Sequence, residues 1–482
     1  MTWEAVIGLE IHAQLKTKSK LFCHCSAAFG DKPNTNVCPV CTAMPGVLPV
    51  LNKEVVNSAI KLGLATNCEI NPINEFSRKN YFYPDSPKAY QISQFDKPIC
   101  LAGYLDINVN DEDIRIDITR IHMEEDAGKL VHQGSENISG ATHSLVDLNR
   151  CSVPLVEIVS EPVIRSAAEA KAYMEKMRQI IRYLDIGDGN MEEGSLRCDA
   201  NVSIRKKGDT ELGTKAEVKN LNSFKSVEKA IILEIDRQIE ILEDGGKITQ
   251  ETRHYNEATN STKTLRSKEE AHDYRYFPAP DLVPIVIDKN WIEDLRKDLP
   301  ELPDNRKKRF MDEYGLNEYD ADIMTVEIFT ADFFETTVKA GSKAKDVANW
   351  IMGEISSYLN NNHVELANTK ITPDLLAKMI KLIEANTISG KIAKQVIPVL
   401  LKNGKDPDSV VKEKGLAQVS DTGEIKTLIQ EVIDENPGPV EEIKSGKMQT
   451  IGFMMGQIMK KSKGKANPGL ANKMLKELLG IS

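Results

Sequence analysis

The residues of this chain best suited to chemistry are acids and one histidine: Glu10-Ile11-His12, Glu124-Glu125-Asp126, Glu157 and Asp199-Ala200-Asn201. Each lies in or beside a stretch in which apolar and polar residues alternate, the pattern of a half-buried strand. In residues 6–16, Leu9, Ile11, Ala13 and Leu15 share one face while Glu10, His12, Gln14 and Lys16 share the other. Around Asp199 the same alternation places Ala200, Val202 and Ile204 inward, and Asp199, Asn201, Ser203 and Arg205 outward. A face so rich in carboxylates repels itself unless cations sit on it. Hard oxygen donors beside an imidazole point to Mg²⁺ or Mn²⁺.

Four cysteines form a second constellation. Cys23-His24-Cys25 and Cys38-Pro39-Val40-Cys41 give a C-x-C and a C-x-x-C around a loop containing Gly30, Pro33 and Asn34. Two close thiol pairs suit tetrahedral Zn²⁺, and four sulfur ligands leave no open position, so this zinc is expected to be structural. The plainer alternative is four buried, unligated thiols. Cys68, Cys100, Cys151 and Cys198 stand apart in sequence and read as core residues or free thiols.

Cations interleave with aromatic rings at Arg78, Lys79, Tyr81, Phe82, Tyr83 and Lys88, and again at Tyr274, Arg275, Tyr276 and Phe277. This chemistry suits phosphates and stacked bases, although a surface loop with aromatic packing would look similar. Arg197, Arg205 and Lys219 fall on the polar phase of strands near Asp199. Metal-holding acids with cations beside them describe a nucleoside-triphosphate site. No phosphate-loop motif is present, and Gly187-Asp188-Gly189 lacks the spacing of a dinucleotide fingerprint. ATP is therefore expected to be held by metal, carboxylates and basic side chains. Isolated acids such as Glu161 and Glu193 read as solvated surface residues.

The elements that must position these groups are short alternating segments broken by Gly, Pro and Asn up to about residue 288, which imply a largely antiparallel α+β domain. Ile114, Ile116 and Ile118 hold one phase and Ile121 and Met123 the other, so a bulge is expected before Glu124. Residues 166–184 and 227–242 carry helical stripes that read as packing helices. Beyond Pro303 the period becomes helical, as in residues 346–359 and 372–384. A further helical segment follows Pro407, and residues 443–482 contain eight lysines against one acid, Glu477.

With 482 residues, 41% hydrophobic and 28% charged, the composition is that of a soluble protein of several domains. The net charge of −10 argues against a uniformly basic nucleic-acid binder without excluding local basic patches. No apolar run is long enough to cross a membrane, and the N-terminus lacks the pattern of a signal peptide, so a cytoplasmic location is expected.

Long strings of this sequence closely resemble the B subunits of the aspartyl/glutamyl-tRNA(Asn/Gln) amidotransferases, the GatB family. The resemblance spans essentially the whole chain and includes residues 7–12, 34–41, 78–84, 122–129 and 194–199. It implies a first domain, residues 1–292, similar in fold to glutamine synthetase and the guanido kinases; the zinc-binding insertion near 23–41 is inferred from this chain's own cysteines, which some family members lack. An all-α domain over 293–405 and a small helical, tRNA-binding tail domain over 406–482 follow. The sequence departs from the family pattern at Ser86 and Ala89, where Leu and Gly are frequent, and at Cys151-Ser152-Val153, where a small residue, Gly and Thr are usual.

What the resemblance implies is a ligase subunit of a glutamine-dependent heterotrimer used in translation. It implies that ATP phosphorylates the side-chain carboxylate of Glu on tRNA(Gln) or Asp on tRNA(Asn), and that ammonia then displaces phosphate. Divalent metal is assigned to Glu10, His12, Glu124, Glu125, Glu157 and Asp199, with Asn201 as a further ligand, and Lys79, Lys88, Arg197 and Arg275 are assigned as phosphate or carboxylate clamps. The chain lacks an amidase signature, so a separate amidase subunit is expected to supply ammonia and a small third subunit to join the two. The competing reading is a non-catalytic tRNA-binding scaffold with a structural zinc. Six acids close to a phosphate backbone argue against it.

Overall fold

The computed structural model describes residues 3–134, 140–267, 271–416, 422–462, 466 and 468–481, and divides into two compact units, Met1–Leu302 and Pro303–Ser482. The first unit is built on nine strands: β1 (Trp3–Gln14), β2 (Glu69–Ile70), β3 (Cys100–Val109), β4 (Glu112–Glu125), β5 (Pro154–Ser160), β6 (Leu196–Lys206), β7 (Ala216–Lys219), β8 (Glu251–Asn256) and β9 (Ser261–Ser267). Their order across the sheet is β9-β8-β7-β6-β1-β5-β4-β3-β2. All neighbours are antiparallel except β7 and β8.

Alternation decides which face is covered. Leu9, Ile11, Val156, Ile158, Ala200 and Val202 are buried in one core together with residues of three helices, α1 (Lys53–Ala65), α2 (Ala167–Tyr183) and α3 (Phe224–Glu243). Ala170, Met174, Met177 and Ile181 of α2 share one buried stripe, and each large apolar side chain buried there contributes ~1.5–3 kcal/mol. Ser166 accepts the Glu169 N–H at 3.2 Å and so fixes where α2 begins.

The expected phase change in β4 is present as a bulge. Val159 pairs with Arg120 and Ser160 with Ile118, which leaves Thr119 as the extra residue. Ile116 and Ile118 point to the core before it, and Ile121 and Met123 after it. Without that extra residue His122 and Glu124 would face the core. A separate small sheet of Phe277–Pro278, Ser77–Asn80 and Tyr90–Ser93 meets the end of β4, where the Ile92 N–H donates to Glu125 Oε1 at 2.8 Å.

The first unit extends to Leu302, past the residue 292 boundary expected from sequence. The helix Lys289–Lys297 buries Leu295 in the first core, and Leu299 and Leu302 pack against it. In the second unit one helical core gathers Phe310, Phe334, Ile380 and Val396, and a second gathers Ile429, Val432, Met454 and Leu475. Val410 and Val411, in the helix Pro407–Glu413, belong to the former, so the division between the cores falls after residue 406.

Candidate active site

The register of the central strands assembles the acids on the uncovered face. Glu10 pairs with Asp199, and Asn201 with Glu217 on β7. His12 lies between Glu157 on β5 and Arg197 on β6, and Glu157 in turn pairs with His122 on β4. Two groups result: His12, Glu124 and Glu157, and Glu10, Asp199 and Glu217, with one donor atom per residue lying within 4.8 Å of the others in its group.

In the first group both imidazoles face the same carboxylates. Glu157 Oε2 is 3.4 Å from His12 Nε2 and 3.2 Å from His122 Nε2, and each ring is 3.8 Å from Glu124. Burial works to lower the basicity of His12, but the charge of Glu157, its hydrogen bond and Glu124 prevail and raise its pKa to about 9. Burial and the Glu157 charge push Glu124 up. Glu157 is held well below the usual carboxylate range because the two imidazoles outweigh its burial. In the second group Asn201 donates Nδ2–H to Glu10 Oε1 at 2.9 Å, while its own Oδ1 is buried and has no partner among the described residues. An orphaned acceptor beside three carboxylates fits a cation, since buried acceptors are otherwise satisfied. Carboxylates at these separations suit Mg²⁺ or Mn²⁺ in both groups, with an imidazole beside them in the first only.

Cations and rings close over this face. Lys219 pairs with Asp199 and lies 3.4 Å from Glu217. Lys79 sits 4.8 Å from the centre of the Tyr274 ring, and against its burial the Tyr276 phenol, then Glu124 and Glu157, raise its pKa. Phe95 and Tyr276 stack with centroids 4.2 Å apart and an 8° interplanar angle. A cavity of about 300 Å³ is bounded by Glu10, Glu217, Lys79, Thr252 and these aromatic rings. An adjoining cavity of about 370 Å³ shares His12, Lys79 and Asp199 with it and adds Arg197, Tyr81 and Leu155.

Apart from this face, the sulfur atoms of Cys23, Cys25, Cys38 and Cys41 also lie within 4.8 Å of one another. The Cys23 thiol hydrogen-bonds Cys41 and, with the Cys38 N–H at 3.2 Å, holds Cys41 at about 5, well below an ordinary thiol. The fully buried Lys20 ammonium, 3.7 Å from Cys41 Sγ, works in the same direction. A thiolate beside three converging sulfurs is the donor set of tetrahedral zinc.

Comparison with known proteins fits this architecture. A family model described as the GatB/GatE catalytic domain matches residues 5–293, and one described as the GatB domain matches residues 332–479. The B subunit of the aspartyl/glutamyl-tRNA(Asn/Gln) amidotransferase of Geotalea daltonii is 57% identical over 481 residues, covering 100% of both chains. That of Carboxydothermus hydrogenoformans is 56% identical over 477 residues, covering 99% of each. The chain belongs to the GatB family, the B subunits of the aspartyl/glutamyl-tRNA(Asn/Gln) amidotransferases.

Within this GatB chain, the residues singled out from sequence fall into place unequally. Glu10, His12, Glu124, Glu157, Asp199 and Asn201 converge, and Lys79 and Arg197 line the cavities. Glu125 does not join them. Its Oε2 accepts from Ser152 Oγ at 2.6 Å and from Lys88, and its Oε1 from the Ile92 N–H. Neighbours on a strand point to opposite faces, so Glu124 and Glu125 cannot both serve the cluster. Lys88 is thereby engaged as the counterion of Glu125, away from both cavities. Arg275 is exposed with φ 47°, and the cavity is lined by its neighbours Tyr274 and Tyr276.

Sequence reasoning passed over Glu217 and His122 as ligands. The signal existed in both cases: Glu217 shares the polar phase of Lys219, and His122 shares that of Glu124 once the bulge is allowed for. Ala89 and Ser152, at positions where the family pattern expects glycine, have φ values of 59° and 65°. The left-handed backbone explains that preference. Ser152 makes an additional bond to Glu125 that glycine would lack.

Proposed function

We propose that this GatB chain activates the side-chain carboxylate of Glu on tRNA(Gln), or Asp on tRNA(Asn), by transfer of the ATP γ-phosphoryl group. A carboxylate oxygen forms a bond to the γ-phosphorus while the bond to the ADP oxygen breaks. Ammonia then forms the amide bond and phosphate leaves. The carrying observation is the pair of acidic groups, His12/Glu124/Glu157 and Glu10/Asp199/Glu217, side by side and flanked by Lys79, Lys219 and Arg197.

The substrate and ATP are both anions, so their approach requires positive charge. Divalent cations held by the two groups supply charge neutralisation when bound. Lys79 and Lys219 offer ammonium groups to phosphate oxygens at the rim of the first cavity, and the Phe95/Tyr276 stack offers an apolar surface for a base. His12 and Glu157 hold the adjacent donors in one fixed orientation.

The same reading takes ammonia from a partner amidase subunit joined through a small third subunit, in the cytoplasm. It assigns tRNA contacts to the lysine-rich helices Thr450–Lys461 and Pro468–Leu479, and structural zinc to the four cysteines. Kinship of the first unit with glutamine synthetase and the guanido kinases belongs to this proposal too. Among the described residues, no helix is long and apolar enough to cross a membrane.

The test supplies the assembled enzyme with misacylated tRNA, ATP, Mg²⁺ and an ammonium salt, without glutamine. Glu10→Ala and Glu157→Ala are expected to lose ~10²-fold or more in amidation while tRNA binding is retained. Amidation at the wild-type rate in both variants would sink the catalytic reading in favour of a tRNA-binding scaffold.

A further inference from the structure

The turn that follows β4 holds a group the activation step above does not use. Asp126 is 4% exposed, and its Oδ2 accepts from Arg197 Nη2 at 2.9 Å and from Gln14 Nε2 at 2.9 Å. Its Oδ1 accepts from the Ala127 N–H at 2.9 Å. The backbone is pinned as well: its N–H donates to Val153 O at 2.8 Å and its carbonyl accepts from the Ser152 N–H at 2.9 Å. A carboxylate fixed at both ends is a rigid anchor for whatever it holds.

Two guanidinium groups meet this one carboxylate, because Arg150 Nε lies 3.6 Å from the same oxygen. Arg150 is spent on the turn itself, donating to Ala127 O at 3.0 Å and Gly128 O at 2.6 Å. Arg197 is not. Nη2 binds Asp126, while Nε is buried and has no partner among the described residues. An unpaired buried N–H costs ~1–3 kcal/mol, which an acceptor entering the cavity recovers. Arg197 lines the cavity of about 370 Å³ with His12, Lys79 and Lys219, opposite the carboxylates of Glu124, Asp126 and Asp199, and its unpaired Nε–H is the donor that remains for an entering acceptor.

The lining of that cavity favours one anion over another. Glu10, Glu217, Thr252 and the Phe95/Tyr276 stack border only the first cavity, which suits a nucleotide and its metal, whereas His12, Lys79, Asp199 and Lys219 border both. The second places the planar fork of Arg197 near apolar Leu155 and Ala127, surroundings for a short side chain ending in a carboxylate. We propose that Asp126 is a positioning residue that anchors one edge of Arg197, so that the rest of the guanidinium receives the side-chain carboxylate of the aminoacyl substrate in the second cavity. This rests on the activation reading, whose own test is the Glu10 and Glu157 pair of variants.

The experiment is a double-mutant cycle in the assembled enzyme, with ATP, Mg²⁺ and ammonium salt, varying misacylated tRNA and ATP separately. Arg197→Ala is expected to lower kcat/KM for misacylated tRNA ~10²-fold, and Asp126→Asn ~10-fold or more, with KM for ATP within ~2-fold of wild type. Adding Asp126→Asn to Arg197→Ala is expected to cost less than ~3-fold more, because the anchor then has nothing to position. Losses that multiply, or a rise in KM for ATP equal to that for tRNA, would overturn the inference while leaving the activation reading intact. If Asp126→Asn does not assemble, Asp126→Glu keeps the charge and displaces it by one methylene, and the same selectivity and non-additivity are expected. An Arg197→Ala enzyme that works at the wild-type rate removes both Arg197 and Asp126 from the reaction.

Discussion

Glu157→Gln removes the negative charge that two imidazoles share. In the metal-free protein His12 is held at about 9 against an ordinary 6.5, although its burial acts the other way. That difference corresponds to ~3.4 kcal/mol between the imidazolium and its surroundings. The His12 ring is 20% exposed, so screening by water reduces the effective figure to ~2 kcal/mol. Glu157 supplies both the leading charge and the hydrogen bond, at 3.4 Å, whereas Glu124 lies 3.8 Å away. Removing Glu157 should therefore lower the His12 pKa by ~1 unit or more.

The assay is a pH titration of the imidazole C–H signals in histidine-labelled, EDTA-treated protein, with His12→Asn used to assign the resonance. The sign of the stability effect follows from a raised folded pKa. This contribution is fully present below about 6.5 and is lost as pH rises through about 9. Wild type should lose thermal stability across that window more steeply than Glu157→Gln. A variant in which His12 still titrates near 9 would refute the assignment of Glu157 as the controlling charge.

Metal analysis of the purified chain should find about one zinc equivalent, and the paired substitution Cys38→Ser with Cys41→Ser should abolish it with a loss of thermal stability; a metal-free, fully stable protein would remove that site. In the second unit, Glu335 accepts from Arg309 at 2.9 Å, Lys339 at 3.0 Å and Tyr314 at 3.0 Å, and these bonds, against burial, hold it at about 2. Glu335→Gln should cost ~1–2 kcal/mol near neutral pH, and the deficit should fade as pH falls from about 4.5 toward 2, since a depressed carboxyl loses its contribution as it protonates. An acid-independent deficit in urea unfolding would point to packing instead. Ala89→Gly, at φ 59°, should stabilise the chain by ~0.5–1 kcal/mol in the same assay, and a loss of stability would mean that the residue is not strained there.

The alternation around Glu10 and around Asp199 made one face of the sheet legible from sequence, because a strand's period of two is a local property of the backbone. The break in phase between Ile118 and Ile121 announced a bulge in the same way. Grouping Glu125 with Glu124 did not apply that alternation, and in the fold Glu125 turns instead to Lys88, Ser152 and the Ile92 N–H: adjacency in sequence is not adjacency on a face. The two cysteine pairs carried their own geometry in their spacing, and their sulfurs do converge.

Strand order and register lay beyond local pattern. Nothing within 10–16 or 196–206 states that β1 lies between β5 and β6, yet only that order puts His12 between Glu157 and Arg197. The addition of β7 recruits Glu217 opposite Asn201, and its Lys219 neutralises Asp199. Division of the acids into two groups, the pairing of Lys88 with Glu125, and the anchoring of Arg197 by Asp126 are all contacts between residues far apart in the chain. Sequence determined which side chains were available and which face each strand turned outward, because both are set by neighbours along the backbone. Tertiary structure decided which charges meet, because that depends on how the core behind the sheet aligns one strand against the next.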